Sequence, residues 1–268
     1  MRIALGIEYD GSGFHGWQMQ QQGIRSVQHE VERAIAQVAD HPVRVHCAGR
    51  TDTGVHAREQ VIHFDTRAQR PLRAWTQGVN VNLPDDVSVL WAAQVPAEFH
   101  ARFSAERRRY RYRILNRPLR SALQHGRVTW IHQPLDAEVM HAAAQALAGT
   151  HDFSSYRALG CQAKSPVRTL HHISVQRHGE ILDIDIEANA FLHHMVRNIA
   201  GVLITIGKGD AGSRWAKEVL ELRDRRLGGV TAPPDGLYFE KVWYPGRFEM
   251  PGRFGKVLGC KFVTIQYQ

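Results

Sequence analysis

The sequence predicts an α+β chain built as two units. Three observations carry that reading: strand-like segments alternate with amphipathic helical segments in both halves, hairpins interrupt the alternation, and no apolar run reaches transmembrane length. At 268 residues the chain is long enough for one large domain or two small ones, each with its own core. The division falls around residues 99–104. It gives an N-terminal unit, 1–103, a C-terminal unit, 104–245, and a tail, 246–268, whose Pro, Gly and scattered charge fit no element.

Arg2–Tyr9 alternates and branches like a strand, and Gly11–Gly23 reads as loop. Ser26 caps a helical run, SVQHEVERAIAQVAD, with Val27, Val31, Ala34, Ile35 and Val38 on one face. Val43–Cys47, Gln60–Phe64 and Val87–Val95 have strand character. In the second half a strand at Arg109–Leu115 precedes a helix at Leu135–Leu147. A hairpin follows, HISVQR and ILDIDIEA around His178-Gly179. The apolar run Phe191–Ile206 predicts a long helix ended by Gly207, Ser213–Arg225 a surface helix, and GLYFEKVWY a closing strand.

Hydrophobic residues at 43% and charged residues at 22% are ordinary for a soluble protein. MRIALGIEYDGSG meets an acid and a glycine too early for a signal peptide. Cys47, Cys161 and Cys260 are too scattered for a disulfide framework or a CxxC pair, so a reducing cytoplasm is the expected compartment. Thirty-four Lys and Arg against 26 Asp and Glu leave a charge of +8, most of it arginine. Arginine binds phosphate bidentately and stacks on bases, so the surplus points to nucleic acid as partner.

Two familiar chemistries are set aside. GSGFHG matches the glycine spacing of a dinucleotide site, but the next helix cap is Ser26, so a pyrophosphate would meet no helix end. The segment reads instead as a mobile polar loop with a glycine-supported turn. Sixteen histidines raise the question of a metal, yet HExxH spacing is absent and the adjacent pairs His171-His172 and His193-His194 point apart on a regular strand or helix. No phosphate-binding GxxxxGK[ST] loop and no GxSxG elbow occurs.

Three segments carry more. AGRTDTGVHA holds a lone carboxylate, Asp52, two positions after Arg50 and between two glycines. RRRYRYR, as a strand, sets Arg109, Arg111 and Arg113 on one face and Tyr110, Tyr112 and Ile114 on the other. Arginines alternating with aromatics suit phosphate contact and base stacking together. AFLHHMVRNIAGVLITIG carries Arg197 well inside an apolar helix. A charge there needs an acid partner, for which Asp52 is a candidate, unless the side chain projects to solvent or caps a loop carbonyl.

GRTDTGVHA, RRYRY and HHMVRN, in that order, together with FHARFSA and GLYF, resemble the tRNA pseudouridine synthases of the TruA family over roughly residues 1–245. Thr53 stands where that family usually has alanine. The resemblance implies two ferredoxin-like α+β halves around a continuous mixed, mainly antiparallel sheet with a central cleft. It implies Asp52 as the catalytic aspartate, Tyr110 as the active-site tyrosine, Arg197 as the basic partner of the aspartate, and Arg50 as the residue that holds the target nucleotide out of its stack. Arg109, Arg111 and Leu237 are the further expected substrate contacts. The implied reaction isomerises uridine to pseudouridine at tRNA positions 38, 39 and 40, in the anticodon stem-loop. It uses no cofactor or metal and is carried out by a homodimer whose tRNA spans both subunits. Two readings compete with it: an RNA-binding module without chemistry leaves Asp52 and Arg197 without a role, and a nicotinamide-dependent dehydrogenase rests on GSGFHG alone.

Overall fold

The computed structural model describes residues 1–20 and 23–251. Of the expected tail, Gly246–Phe248 forms a single 3-10 turn that packs Phe248 edge-on against Phe99. Residues 252–268, like Gln21 and Gln22 of the first loop, lie outside the described residues.

Among the described residues ten strands make one sheet, and its order explains how the two halves of the chain meet. The strands are β1 (Arg2–Tyr9), β2 (His46–Cys47), β3 (His56–Asp65), β4 (Val87–Val95), β5 (Arg107–Asn116), β6 (Thr129–Ile131), β7 (Gly149–Asp152), β8 (Val167–His178), β9 (Ile181–Ala188) and β10 (Leu237–Trp243). They run β4-β1-β3-β10-β5-β9-β8-β7, with β2 beside β3 and β6 beside β5. β10 therefore lies at the centre, parallel to β3 of the first half and antiparallel to β5 of the second. Elsewhere the pairs are antiparallel, apart from β5–β6. The sheet is mixed and mainly antiparallel, as expected. Because β3 and β10 run the same way, the segments that lead into them, 48–55 and 230–236, emerge at the same end of the sheet.

Helix α1 (Val27–Ala39) is capped by Ser26, whose hydroxyl accepts the His29 N–H, and buries Val27, Val31, Ala34 and Ile35. A π-helical turn, Ala74–Gly78, leads into α2 (Val79–Asn82). It seats Trp75 edge-on against Phe64 in the core of the first half. The sequence patterns leave this region unassigned, because its apolar spacing follows neither 3.6 nor 2.0. Helix α3 (Ala137–Ala144) is capped by Asp136 and runs on as a 3-10 turn to Leu147. Helices α4 (Met195–Gly207) and α5 (Trp215–Leu222) complete the second half.

Three boundaries differ from expectation for local reasons. Of Val43–Cys47 only His46–Cys47 pairs as a strand, since the Val45 N–H is taken by the Glu32 carboxylate. The helix expected from Phe191 begins at Met195, after His194 takes a left-handed backbone at φ 61°, ψ 4°. The region 11–17 is not a mobile polar loop: Phe14 and Trp17 are buried, and Gly11–Gly13 forms a 3-10 turn. Among the described residues, no helix is long and apolar enough to cross a membrane.

Candidate active site

Asp52 lies in the loop between β2 and β3, and every side of that loop is held. The Thr51 hydroxyl meets the Tyr9 phenol at 2.8 Å, and the Thr51 carbonyl accepts the Trp17 N–H at 3.0 Å. The Phe14 carbonyl accepts the Gly54 N–H at 3.2 Å. Gln60 takes the Ala48 and Gly49 N–H groups on its amide oxygen and donates back to the Gly49 carbonyl at 2.6 Å. Two of the three glycines of GSGFHG serve this packing. A Cβ on Gly11 would collide with the Val55 carbonyl, and Gly16, at φ +90°, runs against Thr51 and Asp52 backbone. The motif that mimics a dinucleotide site is the bed on which the aspartate loop rests.

Arg197 approaches from the first turns of α4. Its Nε donates to the Ala232 carbonyl at 2.8 Å and its Nη1 to Asp52 Oδ2 at 3.3 Å. The pairing and the loop-carbonyl contact therefore occur together. The backbone is tied at the same point, since the Ala232 N–H donates to the Arg197 carbonyl at 3.1 Å. Fixed at both its chain and its Nε, the guanidinium has little freedom left with which to miss the carboxylate.

His193 and His194 complete the cluster. His193 Nε2 lies 3.3 Å from Asp52 Oδ1, and His194 Nε2 lies 3.3 Å from Oδ2. The expectation that adjacent histidines diverge fails here, because it assumes regular backbone. The left-handed turn at His194 swings both rings to one side, with centroids 4.0 Å apart. Burial holds the His194 imidazole below its ordinary range, against the opposing pull of Asp52. The three groups bring ligand-capable atoms within 4.8 Å of one another. Arg197 on the same carboxylate oxygen and the positive end of α4 both disfavour a cation there, so the cluster reads as an anion surrounded by donors.

Tyr110 stands on β5, paired in register with Phe239 of β10 and Ile186 of β9. Its ring meets Phe191 and Phe239 edge-on, at 4.9 and 5.0 Å. Burial raises its phenol well above the usual tyrosine range, and the Asp52 charge adds to the rise. Tyr110 is thus a neutral phenol at neutral pH. Leu237 shares its strand face and is buried beside Tyr112. Arg50 stands exposed at the rim of the same loop.

Arg109 and Arg111 are not brought to the Asp52 cluster. The alternation that aims Tyr110 inward aims its neighbours to the other face of the sheet. There both pair with Asp185, at 3.0 and 3.1 Å, and Arg113 pairs with Asp183 at 2.9 Å. The buried arginine of the run is Arg108, which shares the tyrosine face. Its guanidinium donates to the carbonyls of Ala48, Arg102, Ala105 and Asn189, tying the aspartate loop, the 99–105 loop and the approach to α4 to one group. Counting by twos from Tyr110 reaches Arg108. The signal was in the sequence, but it was masked by the longer arginine run.

A family model described as tRNA pseudouridine synthase matches residues 6–104 and 143–245, which together span most of the chain. The chain belongs to the tRNA pseudouridine synthase family. It is an isomerase. Among its relatives, the tRNA pseudouridine synthase A of Pseudomonas aeruginosa is 62% identical over 263 residues, covering 98% of this chain and 91% of the relative. Those of Methylococcus capsulatus and Nitrosococcus oceani are 59% identical over 248 residues and 58% over 251. They cover 92% and 94% of this chain and 91% and 96% of their own lengths. The fold of this pseudouridine synthase sets out its cluster plainly: the first half supplies Asp52, the second half Arg197 and both histidines, and the central strands Tyr110 and Phe239.

Proposed function

We propose that the chain isomerises uridine to pseudouridine in the anticodon stem-loop of tRNA, at positions 38, 39 and 40, acting as a cytoplasmic homodimer with no cofactor. The convergence of the Asp52 carboxylate and the Arg197 guanidinium at 3.3 Å, beside a buried phenol, carries this reading. The reaction breaks the N1–C1′ bond, turns the uracil, and joins C5 to C1′ with loss of the C5 proton. One carboxylate suffices, either as nucleophile at C1′ or C6 or as base at C2′. A partly buried carboxylate needs compensation, which Arg197 and the two imidazoles provide.

Tyr110 supplies a flat wall for the detached base. Its raised pKa argues against a standing phenolate, so the phenol takes the C5 proton only by passing its own hydroxyl proton on to Asp52, which is again a free carboxylate once the C5–C1′ bond exists. Exposed at the rim, Arg50 suits the space left by a nucleotide drawn from its stack, a step that costs roughly a few kcal/mol. The +8 surplus supplies phosphate attraction against that cost.

The experiment is tritium release from C5-labelled uridine in tRNA. Asp52→Asn should abolish release while leaving tRNA binding intact; full turnover by that variant removes Asp52 from the chemistry.

A further inference from the structure

One exposed side chain has no part in the cluster around Asp52. Phe103 presents its ring to solvent at 75% exposure, although hydrogen bonds from other segments hold its loop in place. The Ala101 N–H donates to His63 Nδ1, and the Ala101 carbonyl accepts the Tyr244 phenol at 2.7 Å. The Arg102 carbonyl is held by Arg108, and the His100 N–H by the Ser104 hydroxyl. An exposed aromatic on a mobile loop needs no explanation. One held on a fixed loop exposes apolar surface with little chance to fold it away.

The ring is also propped from behind. His100 lies against it with centroids 4.3 Å apart and planes 35° from parallel, and the Arg102 guanidinium sits 5.5 Å from its centroid. His100 is itself backed by His46 and His63, at 5.4 and 4.6 Å. The result is a cluster of rings whose outermost member, Phe103, is the exposed one. This cluster borders the reaction site, because Arg108 joins the Arg102 carbonyl to the Ala48 carbonyl at the head of the aspartate loop. Among the described residues, neither Arg50 nor Arg102 forms an ion pair with an acid.

We propose that Phe103 is a stacking platform for an unpaired nucleobase of the RNA substrate close to the target uridine, with Arg102 holding a phosphate of that nucleotide. An exposed aromatic ring fits any base, and an arginine without an acid partner fits the backbone that joins it to the flipped residue. The platform gives the strand displaced by flipping a surface to rest on. This rests on the reading of the chain as acting on RNA.

The test uses the full-length protein and unmodified tRNA. Phe103→Ala and Phe103→Leu should each raise the Kd for tRNA about tenfold or more, while Phe103→Tyr and Phe103→Trp stay near wild type. Leucine keeps apolar bulk without a π face, so its loss separates stacking from general apolar contact. The melting temperature should hold in all four, since the ring is largely exposed. Arg102→Gln should reduce the salt slope of binding by about one. A photo-crosslinker at position 103 in the Asp52→Asn background should map to the arm that carries the target uridine. If wild type binds tRNA and Phe103→Leu binds equally well, the platform is wrong and the RNA reading stands. Should wild type fail to bind tRNA at all, both fall. A Phe103→Ala variant that changes self-association with tRNA affinity untouched would assign the ring to a second copy of the chain, and overturn the proposal.

Discussion

The guanidinium of Arg197 meets the carboxylate of Asp52 at 3.3 Å across 145 residues of chain. The two sit on opposite halves, and the parallel pairing of β3 with β10 brings the intervening segments to one end of the sheet. Arg197→Ala should therefore lower the single-turnover rate by about 100-fold or more, as expected on removal of a preorganised charged donor. Affinity for tRNA, measured by filter binding, should change little, because Arg197 faces Asp52 and not the surface. Arg197→Lys keeps the charge but cannot hold Ala232 and Asp52 together through two nitrogens, and should recover only part of the rate. A variant that loses binding and keeps its rate would refute the pairing.

His194 carries a conformational demand as well as a contact. Its φ of 61° is unfavourable for most side chains, and asparagine tolerates that region better than alanine. Asparagine also keeps an N–H donor. His194→Asn should thus retain melting temperature and most of kcat. His194→Ala should lose roughly tenfold in kcat, from a freer Asp52, and roughly 1 kcal/mol of stability, from strain without compensation. Equal kcat in the two variants would show that the imidazole does not position the carboxylate.

Much of this was legible from residues alone, and the parts that were not share a cause. Period-two alternation in RRRYRYR assigns Tyr110 and Tyr112 to one face, and the structure keeps that assignment. A charge within an apolar helix calls for an acid, and Asp52 stands opposite Arg197. Regular patterns locate what is regular. His193 and His194 converge because one residue leaves the helix-forming region, and no periodicity records a single left-handed residue. Phe14 and Trp17 are buried by tertiary packing against the aspartate loop, although their neighbours are polar and glycine-rich. Arg109 and Arg111 drew attention by their number, yet acids on β9 hold them on the far face.

Arg108 gives a prediction about assembly of the site. Its guanidinium is buried, and burial lowers its pKa with no acid in its direct hydrogen bonds. Four carbonyls depend on it. Arg108→Met fits the volume but leaves those acceptors short of donors, at about 1–3 kcal/mol for the first left unmet. A melting temperature lower by about 4–10 °C is expected, with activity lost sooner than fold because the Ala48 end of the aspartate loop is released. Arg108→Lys should recover part of the stability, since one ammonium can reach only some of the four. Melting at the wild-type temperature in Arg108→Met would mean that the three loops do not rely on this group.

The last prediction concerns acid. His63 lies under the 99–105 loop, where its Nδ1 accepts the Ala101 N–H at 3.1 Å and must stay unprotonated to do so. Burial pushes its pKa down to about 3, helped by His100, Arg2 and His46, while Asp65 opposes weakly. In the unfolded chain an ordinary histidine titrates near 6.5. Above that pH both states are neutral and the site adds no pH dependence. Between about 6.5 and 3 the unfolded chain holds a proton that the folded one excludes, so stability falls as pH falls. Asp10, held at about 2, releases its contribution below pH 4 and stays outside a comparison of pH 7 with pH 5. His100 and His194 are shifted downward as well and will leave a residual slope. His63→Asn keeps a side-chain acceptor for Ala101 without a proton to gain. Between pH 7 and 5 it should lose less melting temperature than wild type, by about 3 °C. Parallel curves would show that the proton taken up on unfolding belongs to another group.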